Sequence, residues 1–238
     1  MSGFAACCAE RQSLRTCAEE NLTRIHERLR RLLCGKAPPF RARSISPFCE
    51  AAPPILMATI SRDHPCLSIT SVARDRLPVF RTDALKKILC AALDEARHSG
   101  GFAIFAYVVM PDHMHLITDG ALKPSDTLRF LNGISGHRVI GYLKENNYTT
   151  SLAKLQDIRK SHGHTYSLWD GHSNALPLFG ESFFMQRVNY IHQNPVRAGL
   201  AERAEDYRWS SVRCWNRWPR EDEPLLVDLD KMVWRKPR

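Results

Sequence analysis

The chain has 238 residues, 44% of them hydrophobic and 25% charged, which suits one well-packed domain with an appended segment. Lysine and arginine (34) outnumber aspartate and glutamate (25), and the net charge of +9 favours an anionic partner, either nucleic acid or an acidic membrane surface. No stretch approaches the roughly 18 uninterrupted apolar residues of a membrane span, and the N-terminal residues lack the pattern of a secretory signal. We therefore expect a cytoplasmic protein that does not cross a membrane.

The eight cysteines include no Cys-x-x-Cys pair, and their spacing is typical neither of a zinc site nor of a disulfide framework. In a reducing compartment such residues are usually buried or surface thiols. We therefore expect free thiols.

Residues 1–55 are predicted to be a basic N-terminal extension of the domain. Apolar residues recur at helical spacing between residues 22 and 33, among several arginines, and predict a basic amphipathic helix. Residues 35–54 are rich in proline and serine, which is typical of a linker. The core is therefore expected to begin near Met57. A basic amphipathic helix can also bind a membrane surface, and this alternative stays open for the extension.

The first part of the core alternates between strand and helix patterns. Residues 66–73 are rich in β-forming residues and predict a strand. Thr82 is a suitable N-cap for a helix whose apolar residues recur at i, i+3 and i+4, and residues 99–101 are expected to end it. Residues 102–109 are almost continuously apolar, which predicts a strand in the middle of a sheet.

The second part continues this alternation. Residues 110–118 predict a turn and a strand, and residues 125–145 predict a helix that three glycines weaken. Residues 146–180 are polar and predict a loop, and residues 181–194 predict a helix that Pro195 ends. The order of these elements indicates an α+β domain with an antiparallel sheet.

One candidate site is a histidine pair on the second of the adjacent strands. His113 and His115 are two residues apart, so both imidazoles lie on one face of the strand while Met114 lies on the other. Two adjacent imidazoles can bind a divalent ion. Such a pair also occurs by chance or as packed polar residues, so the motif alone does not decide its role. A second pair, His162 and His164, is predicted to lie in a solvated loop.

The last predicted helix carries a second candidate group. Tyr190 and Asn194 are four residues apart and share one helical face with Arg187, while Ile191 lies on the core side. Asn194 precedes a proline, which predicts that it lies at the helix end. The alternative is a tyrosine that only packs its ring at a helix terminus.

A run of interleaved arginines and aromatic residues follows this helix. Rings can stack on bases and guanidinium groups can bind phosphates, so the run suits single-stranded nucleic acid. The alternative is a segment anchored on the core by its tryptophans, with a basic solvent-facing side. The run comprises Arg197, Arg203, Tyr207, Arg208, Trp209, Arg213, Trp215, Arg217, Trp218 and Arg220.

Two of these motifs together resemble a known family. The sequence MPDHMHLI at 110–117, followed by NYIHQNPVRAGL at 189–200 and DYRWSSV at 206–212, is similar to the REP-associated tyrosine transposases. These belong to the single-tyrosine HUH transposases, named for their His-hydrophobe-His motif. The similarity extends from about residue 57 to residue 212 and includes RLPVF and YSLWDGH. The linked pair of motifs is far more specific than either motif alone.

The resemblance implies a ferredoxin-like α+β fold over residues 56–215, with helices on one face of an antiparallel sheet and the histidine motif on a central strand. His113 and His115 match the metal-binding histidines of the family, and Tyr190 matches its nucleophile. Asn194 matches the polar residue that supplies a third metal ligand. Asp112 stands where many members carry Asn, a change expected to alter the local charge without contact to the ligands. Residues 216–238 are predicted to form a basic C-terminal tail.

The implied activity is that of a Mg²⁺- or Mn²⁺-dependent transposase. It would cleave single-stranded DNA at hairpin-associated sites through a 5′-phosphotyrosine intermediate and then transfer the strand. We expect a nucleoid-associated monomer or homodimer. The predicted DNA-binding residues are Arg187, Arg197, Arg208 and Arg213.

Two alternatives to this activity remain at this stage. One is a catalytically silent, sequence-specific DNA-binding protein of the same fold, although the intact set of site residues argues against simple decay. The other is a structural protein that binds zinc through the histidines, which would need a further convergent Cys or His.

Overall fold

The computed structural model describes residues 58–59, 65–157, 165–171 and 173–233. The chain divides into two compact units, and the larger comprises Ala58–Asp228 and Met232–Arg238. Within the smaller unit only the 3₁₀ turn Leu229–Lys231 is described. The predicted extension at 1–55 and the loop histidines His162 and His164 lie outside the described residues.

The larger unit has a four-stranded antiparallel sheet in a ferredoxin-like arrangement. The strands are β1 (Ala58–Thr59), β2 (Cys66–Val72), β3 (Ile104–Val109), β4 (His113–Thr118), β5 (Asn174–Leu178) and β6 (Met232–Val233). The helices are α1 (Asp83–Gly100), α2 (Pro124–Glu145), α3 (Thr149–Lys154), α4 (Glu181–Arg197) and α5 (Val212–Trp215). The sheet order is β3-β4-β2-β5, and β1 pairs separately with β6. The sequence β2-α1-β3-β4-α2-β5 is the βαββαβ order of the predicted fold, and β4 is one of its two central strands.

Local signals set the limits of α1 as predicted. The Thr82 side chain accepts a hydrogen bond from the backbone N–H of Leu85 at 3.4 Å, so it caps the helix start. Gly101 ends the helix in the left-handed conformation with a φ of 68°, a geometry that a residue without Cβ adopts at little cost.

The helices cover both faces of the sheet. The Ser71 hydroxyl donates to Oδ1 of Asn132 in α2 at 2.8 Å, and Ser71 pairs with Met114, so α2 lies on the Met114 face. Helix α1 packs against α2. Helix α4 lies on the opposite face, where the Tyr190 ring is 5.7 Å from the ring of His115. The two helices of the βαββαβ unit thus share one face, and the added helix α4 occupies the other.

Strand β3 lies at an edge of the sheet, so its predicted central position was wrong. All of its residues are nevertheless buried. The C-terminal chain covers its free edge, where the backbone N–H of Ser211 donates to Tyr107 O at 3.0 Å and that of Asp228 donates to Ile104 O at 2.8 Å. A continuous apolar run indicates burial, and here an irregular segment of chain provides that burial instead of a second neighbouring strand.

Most aromatic residues of the C-terminal run anchor this covering segment. Three of the rings are buried: Tyr207, Trp209 and Trp215. The Trp215 indole N–H donates to Phe105 O at 2.9 Å, and the Tyr207 hydroxyl donates to Val109 O at 2.7 Å. Trp218, by contrast, is 74% exposed. These three rings therefore anchor the segment on the core, and the prediction that they stack on DNA bases was wrong.

The segment predicted to be a separate basic tail begins as part of the same packed unit. Arg213 of α5 donates to both carboxylate oxygens of Glu223, from Nε at 2.6 Å and from Nη2 at 3.0 Å. The two side chains are only 8% and 1% exposed. This ion pair fixes the chain after α5 against the domain, and residues 216–228 belong with the sheet that they cover.

Helix α4 runs past the proline that was predicted to end it. It continues to Arg197 because the backbone groups after Pro195 still bond within the helix. The N–H of Ala198 donates to Asn194 O at 3.0 Å, and that of Leu200 donates to Pro195 O at 2.8 Å. Asn194 therefore lies inside the last turns and not at the terminus.

The segment at 146–180, predicted to be a loop, contains regular structure. It includes the short helix α3 and the edge strand β5, which pairs with β2. A helix long and apolar enough to cross a membrane is not found in the described part of the chain.

The ion pair between Arg213 and Glu223 should contribute strongly to stability. We expect Glu223→Gln to lower the free energy of unfolding by about 3 kcal/mol, because it leaves a buried guanidinium without its counter-charge. The matched control is Asp222→Asn, since Asp222 pairs with Arg208 at 2.6 Å but is 64% exposed. That change should cost less than about 1 kcal/mol. Equal losses in urea-induced unfolding would contradict this assignment.

Cys66 and Cys90 should be poorly reactive in the folded protein. Burial raises the pKa of Cys66 and of Cys90 to about 12, which leaves almost no thiolate at pH 8. We expect iodoacetamide to leave both residues unmodified in the native protein and to alkylate them in urea, as measured by peptide mass spectrometry. Rapid native labelling of either residue would show that its burial is wrong.

Candidate active site

The candidate site lies where the face of β4 meets helix α4. His113 and His115 point to the same side of the strand, and their ring centroids are 5.0 Å apart. Tyr190 of α4 lies over this pair, with its ring 5.7 Å from the ring of His115. Two motifs that are 75 residues apart in sequence thus meet at one place, as the resemblance implies.

His115 is oriented by a threonine of the neighbouring strand. Thr70 is paired with His115 in the register of β2 and β4, and its Oγ1 is hydrogen-bonded to His115 Nδ1 at 2.8 Å. With Nδ1–H as the donor, the lone pair of Nε2 remains available for another partner. Burial, followed by the charges of His113 and Arg187, lowers the pKa of His115 to about 3. The imidazole is therefore neutral near pH 7, as a metal ligand must be.

His113 is oriented by Asp112, which contradicts the expectation that this residue does not contact the ligands. His113 Nδ1–H donates to Asp112 Oδ1 at 2.6 Å. Burial raises the pKa of Asp112, but hydrogen bonds and charges of His113 and Arg76 outweigh it, so the pKa is lowered overall. Arg76 Nη1 lies 3.1 Å from Asp112 Oδ2. The carboxylate is therefore ionised. It holds His113 in the tautomer in which Nδ1 carries the proton and the lone pair of Nε2 is free.

The backbone at Arg76 and at the residue before it has an unusual conformation. Asp75 and Arg76 both have a φ of 52°, in the left-handed region that residues with a Cβ rarely adopt. Two such residues in succession cost energy, and strain of this kind concentrates at functional sites. The strained turn places the Arg76 guanidinium beside Asp112.

Asn194 is the only carboxamide that the resemblance assigns to the site. It follows Tyr190 by four residues and therefore lies one turn further along the same helix. Its Nδ2 is buried and has no hydrogen-bond partner within the described residues. Because the two ends of an amide exchange by rotation of the side chain, Oδ1 can be turned toward a cation. A buried amide without a hydrogen-bond partner is compatible with a role as a ligand.

Across the described residues, no three His, Cys, Asp or Glu side chains are close enough to hold a metal ion together. Within this part of the chain, a metal site at the two histidines therefore depends on a different type of third ligand. The resemblance assigns this role to the amide of Asn194.

Two arginines flank the tyrosine. The guanidinium carbons of Arg187 and Arg197 each lie 5.2 Å from the centroid of the Tyr190 ring. Arg187 is half-buried, and its Nε has no hydrogen-bond partner in the described structure. Both cations therefore lie beside the Tyr190 ring.

The other two predicted DNA-binding arginines differ in availability. Arg208 is half-exposed and contacts Asp222 and the Trp209 ring, so its guanidinium is accessible at the surface. Arg213 is 6% exposed, and its donors are taken by Glu223 and by two backbone carbonyl groups. The prediction of DNA binding by Arg213 was wrong, because the side chain stabilises the C-terminal segment.

The sequence alone did not indicate a role for three further residues of this region. Thr70 and Arg76 orient the histidines only through the tertiary structure. His192 follows the motif tyrosine by two residues and faces the core, where its buried Nε2 is hydrogen-bonded to Ser211 Oγ at 2.9 Å. That hydroxyl also accepts from the backbone N–H of Tyr107 at 2.9 Å, so His192 connects α4 to the edge of β3. Strand register could have suggested Thr70 because it lies opposite His115.

No family model and no curated protein matches the chain. Among solved structures, the chain is similar to a REP-associated tyrosine transposase bound to a REP hairpin, with 19% identity over 70% of this chain and 84% of that one and a TM-score of 0.47. It is also similar to a Deinococcus radiodurans R1 protein described as a transposase, with 20% identity over 55% of this chain and 90% of that one and a TM-score of 0.38. The function of the chain is therefore inferred from the chemistry of its site.

Proposed function

We propose that the protein is a single-stranded DNA endonuclease and strand transferase of the transposase type, which cuts through a 5′-phosphotyrosine at hairpin-associated sites. The observation that carries this proposal is the convergence of Tyr190 with His113 and His115. Their sequence motifs are the two that resemble the REP-associated tyrosine transposases. The fold brings these motifs together on one face of the sheet, which a chance histidine pair would not require.

Tyr190 would act as the nucleophile. Its hydroxyl oxygen attacks the scissile phosphorus, the phenolic proton leaves, and the bond from phosphorus to the 3′ oxygen breaks. The products are a phosphotyrosine at the 5′ end and a free 3′-hydroxyl, which takes up a proton. A second 3′-hydroxyl can then attack the phosphotyrosine, which re-forms a phosphodiester and restores the tyrosine. The exchange conserves the number of ester bonds and needs no nucleotide cofactor.

Arg187 and Arg197 would bind the phosphate during this exchange. Their guanidinium groups flank the Tyr190 ring at 5.2 Å. Negative charge increases on the phosphoryl oxygens as the nucleophile approaches, and donors fixed in advance stabilise that charge. The excess of basic residues in the chain also attracts DNA, which is negatively charged, toward the protein. Arg208 offers a further accessible contact outside this pair.

The residues present fit a divalent ion. His113 and His115 would bind it through Nε2, since each Nδ1 already has a partner, and Asn194 would bind it through Oδ1. When bound, the ion would withdraw electrons from the scissile phosphate. Imidazole ligands by themselves would suit zinc, and the choice of Mg²⁺ or Mn²⁺ comes from the family resemblance.

The proposal predicts a covalent protein–DNA product. Purified protein would be incubated with Mn²⁺ or Mg²⁺ and labelled single-stranded hairpins from the repeats that flank its gene. We expect a metal-dependent covalent band on a denaturing gel. Tyr190→Phe should abolish the band because it removes the nucleophilic oxygen, and binding to the DNA should persist. Tyr148→Phe is the matched control, since Tyr148 is exposed and lies outside the site.

The outcomes separate this activity from its alternative. Binding of several flanking hairpins without cleavage would favour a catalytically silent DNA-binding protein. The assembled site argues against that alternative, because a protein that only binds DNA does not need a tyrosine over two oriented histidines. Absence of any DNA binding would overturn both interpretations.

The orienting hydrogen bonds give a separate prediction about the ion. Thr70→Val removes the partner of His115 Nδ1 while it keeps the shape of the side chain. We expect it to weaken Mn²⁺ binding by about 10- to 100-fold, as measured by electron paramagnetic resonance titration. Ser71→Ala is the matched control, because Ser71 lies on the opposite face of the same strand and bonds to Asn132. Equal Mn²⁺ affinities of the two variants would contradict the assigned ligands.

A further inference from the structure

A basic cavity lies beside the candidate active site. Its volume is about 480 Å³, within the usual range of about 300–1,000 Å³ for small-ligand pockets. Asp112 forms part of its wall and also contacts His113, so the cavity adjoins the histidine pair. The other lining residues are Arg76, Pro78, Arg81, Lys86, Pro111, Leu200 and Tyr207.

The charges of this cavity favour an anion. Three of its lining residues are cationic and one is acidic. The acidic residue, Asp112, is already paired with Arg76 and His113. Arg81 is exposed and forms no ion pair within the described part of the chain. A phosphate in the cavity would therefore meet unused positive charge.

Lys86 contributes a cation that is rarely found in such surroundings. It is 8% exposed, and its Nζ lies 5.6 Å from the ring centre of Tyr207 and 5.5 Å from that of Trp209. Its ion-pair partner, Asp83, is 3.7 Å away and mostly exposed. Lysine is almost never buried to this degree without a strong partner. A cation held on two aromatic rings at the wall of a cavity is well placed to meet an anionic ligand.

The remaining walls are apolar and suit a base or sugar. Pro78, Pro111 and Leu200 have no charge, and Leu200 is 44% exposed although it is a large aliphatic residue. The strained backbone at Asp75 and Arg76 leads directly into this wall. A site that combines an apolar surface with grouped cations matches the two parts of a nucleotide.

We infer that this cavity binds one nucleotide of single-stranded DNA next to the phosphodiester that is cleaved. Arg81 and Lys86 bind its phosphate, and the apolar wall receives its base. The inference rests on the proposed function, because it assumes that single-stranded DNA occupies the neighbouring site. The two residues that bind the phosphate lie outside the tyrosine and histidine motifs, on the turn before α1 and on α1 itself.

The test measures DNA binding in the absence of cleavage. All variants carry Tyr190→Phe, and fluorescence anisotropy with EDTA follows a labelled hairpin that has single-stranded flanks. Arg81→Ala should weaken binding about tenfold, and it should reduce the slope of log K against log salt by about 0.7, the value for one phosphate contact. Arg81→Lys should restore most of the affinity. Lys87→Ala, an exposed lysine of α1 outside the cavity, should change binding less than twofold.

Single methylphosphonates placed along the flanks identify the contacted phosphate. One position should weaken binding of the parent protein about tenfold and have no further effect in Arg81→Ala, because both changes remove the same contact. If Arg81→Ala binds like Lys87→Ala with an unchanged salt slope, this inference is overturned while the proposed function stands. If the parent protein binds no hairpin, both are overturned.

Discussion

The pairing of β4 with β2 is the constraint on which the site depends. Its register places Thr70 opposite His115, and the alternation of the strand directs both histidines to one face. A shift by one residue would turn both imidazoles toward α2 and would remove the hydroxyl partner of His115. Helix α4 can bring Tyr190 to the histidines only because this face is free of α1 and α2. The chemistry therefore depends on the choice of face as much as on the residues.

The edge of β3 that has no neighbouring strand explains the organisation of the C-terminal chain. An apolar edge strand needs a cover, since its unpaired backbone groups would otherwise invite association with another chain. The segment that follows α4 supplies this cover and is fixed by the rings of Tyr207 and Trp215 and by the ion pair of Arg213. Residues that look like a nucleic-acid-binding run are thus used largely for stability. His192 connects this cover to α4 through Ser211.

The electrostatics of the site follow from one ionised carboxylate among several cations. Asp112 lies between His113 and Arg76, while Arg187 and Arg197 flank the tyrosine. The carboxylate fixes the tautomer of His113, and the surrounding guanidinium groups leave the region attractive to phosphate. The negative charge of Asp112 is therefore balanced by Arg76. The same arginine forms part of the basic cavity beside the site.

The sequence by itself determined three of the four sheet strands (β2, β3 and β4), the starts of α1, α2 and α4, and the two motifs, because alternation, helical spacing and capping act over a few residues. It also predicted that His113 and His115 share a face and that Tyr190 and Asn194 share another. Only the tertiary structure decided that β3 is an edge strand, that Arg213 is buried, and that Thr70 and Asp112 orient the histidines. Each of these outcomes depends on which distant segment lies alongside, and local patterns of hydrophobicity and charge carry no information about that choice.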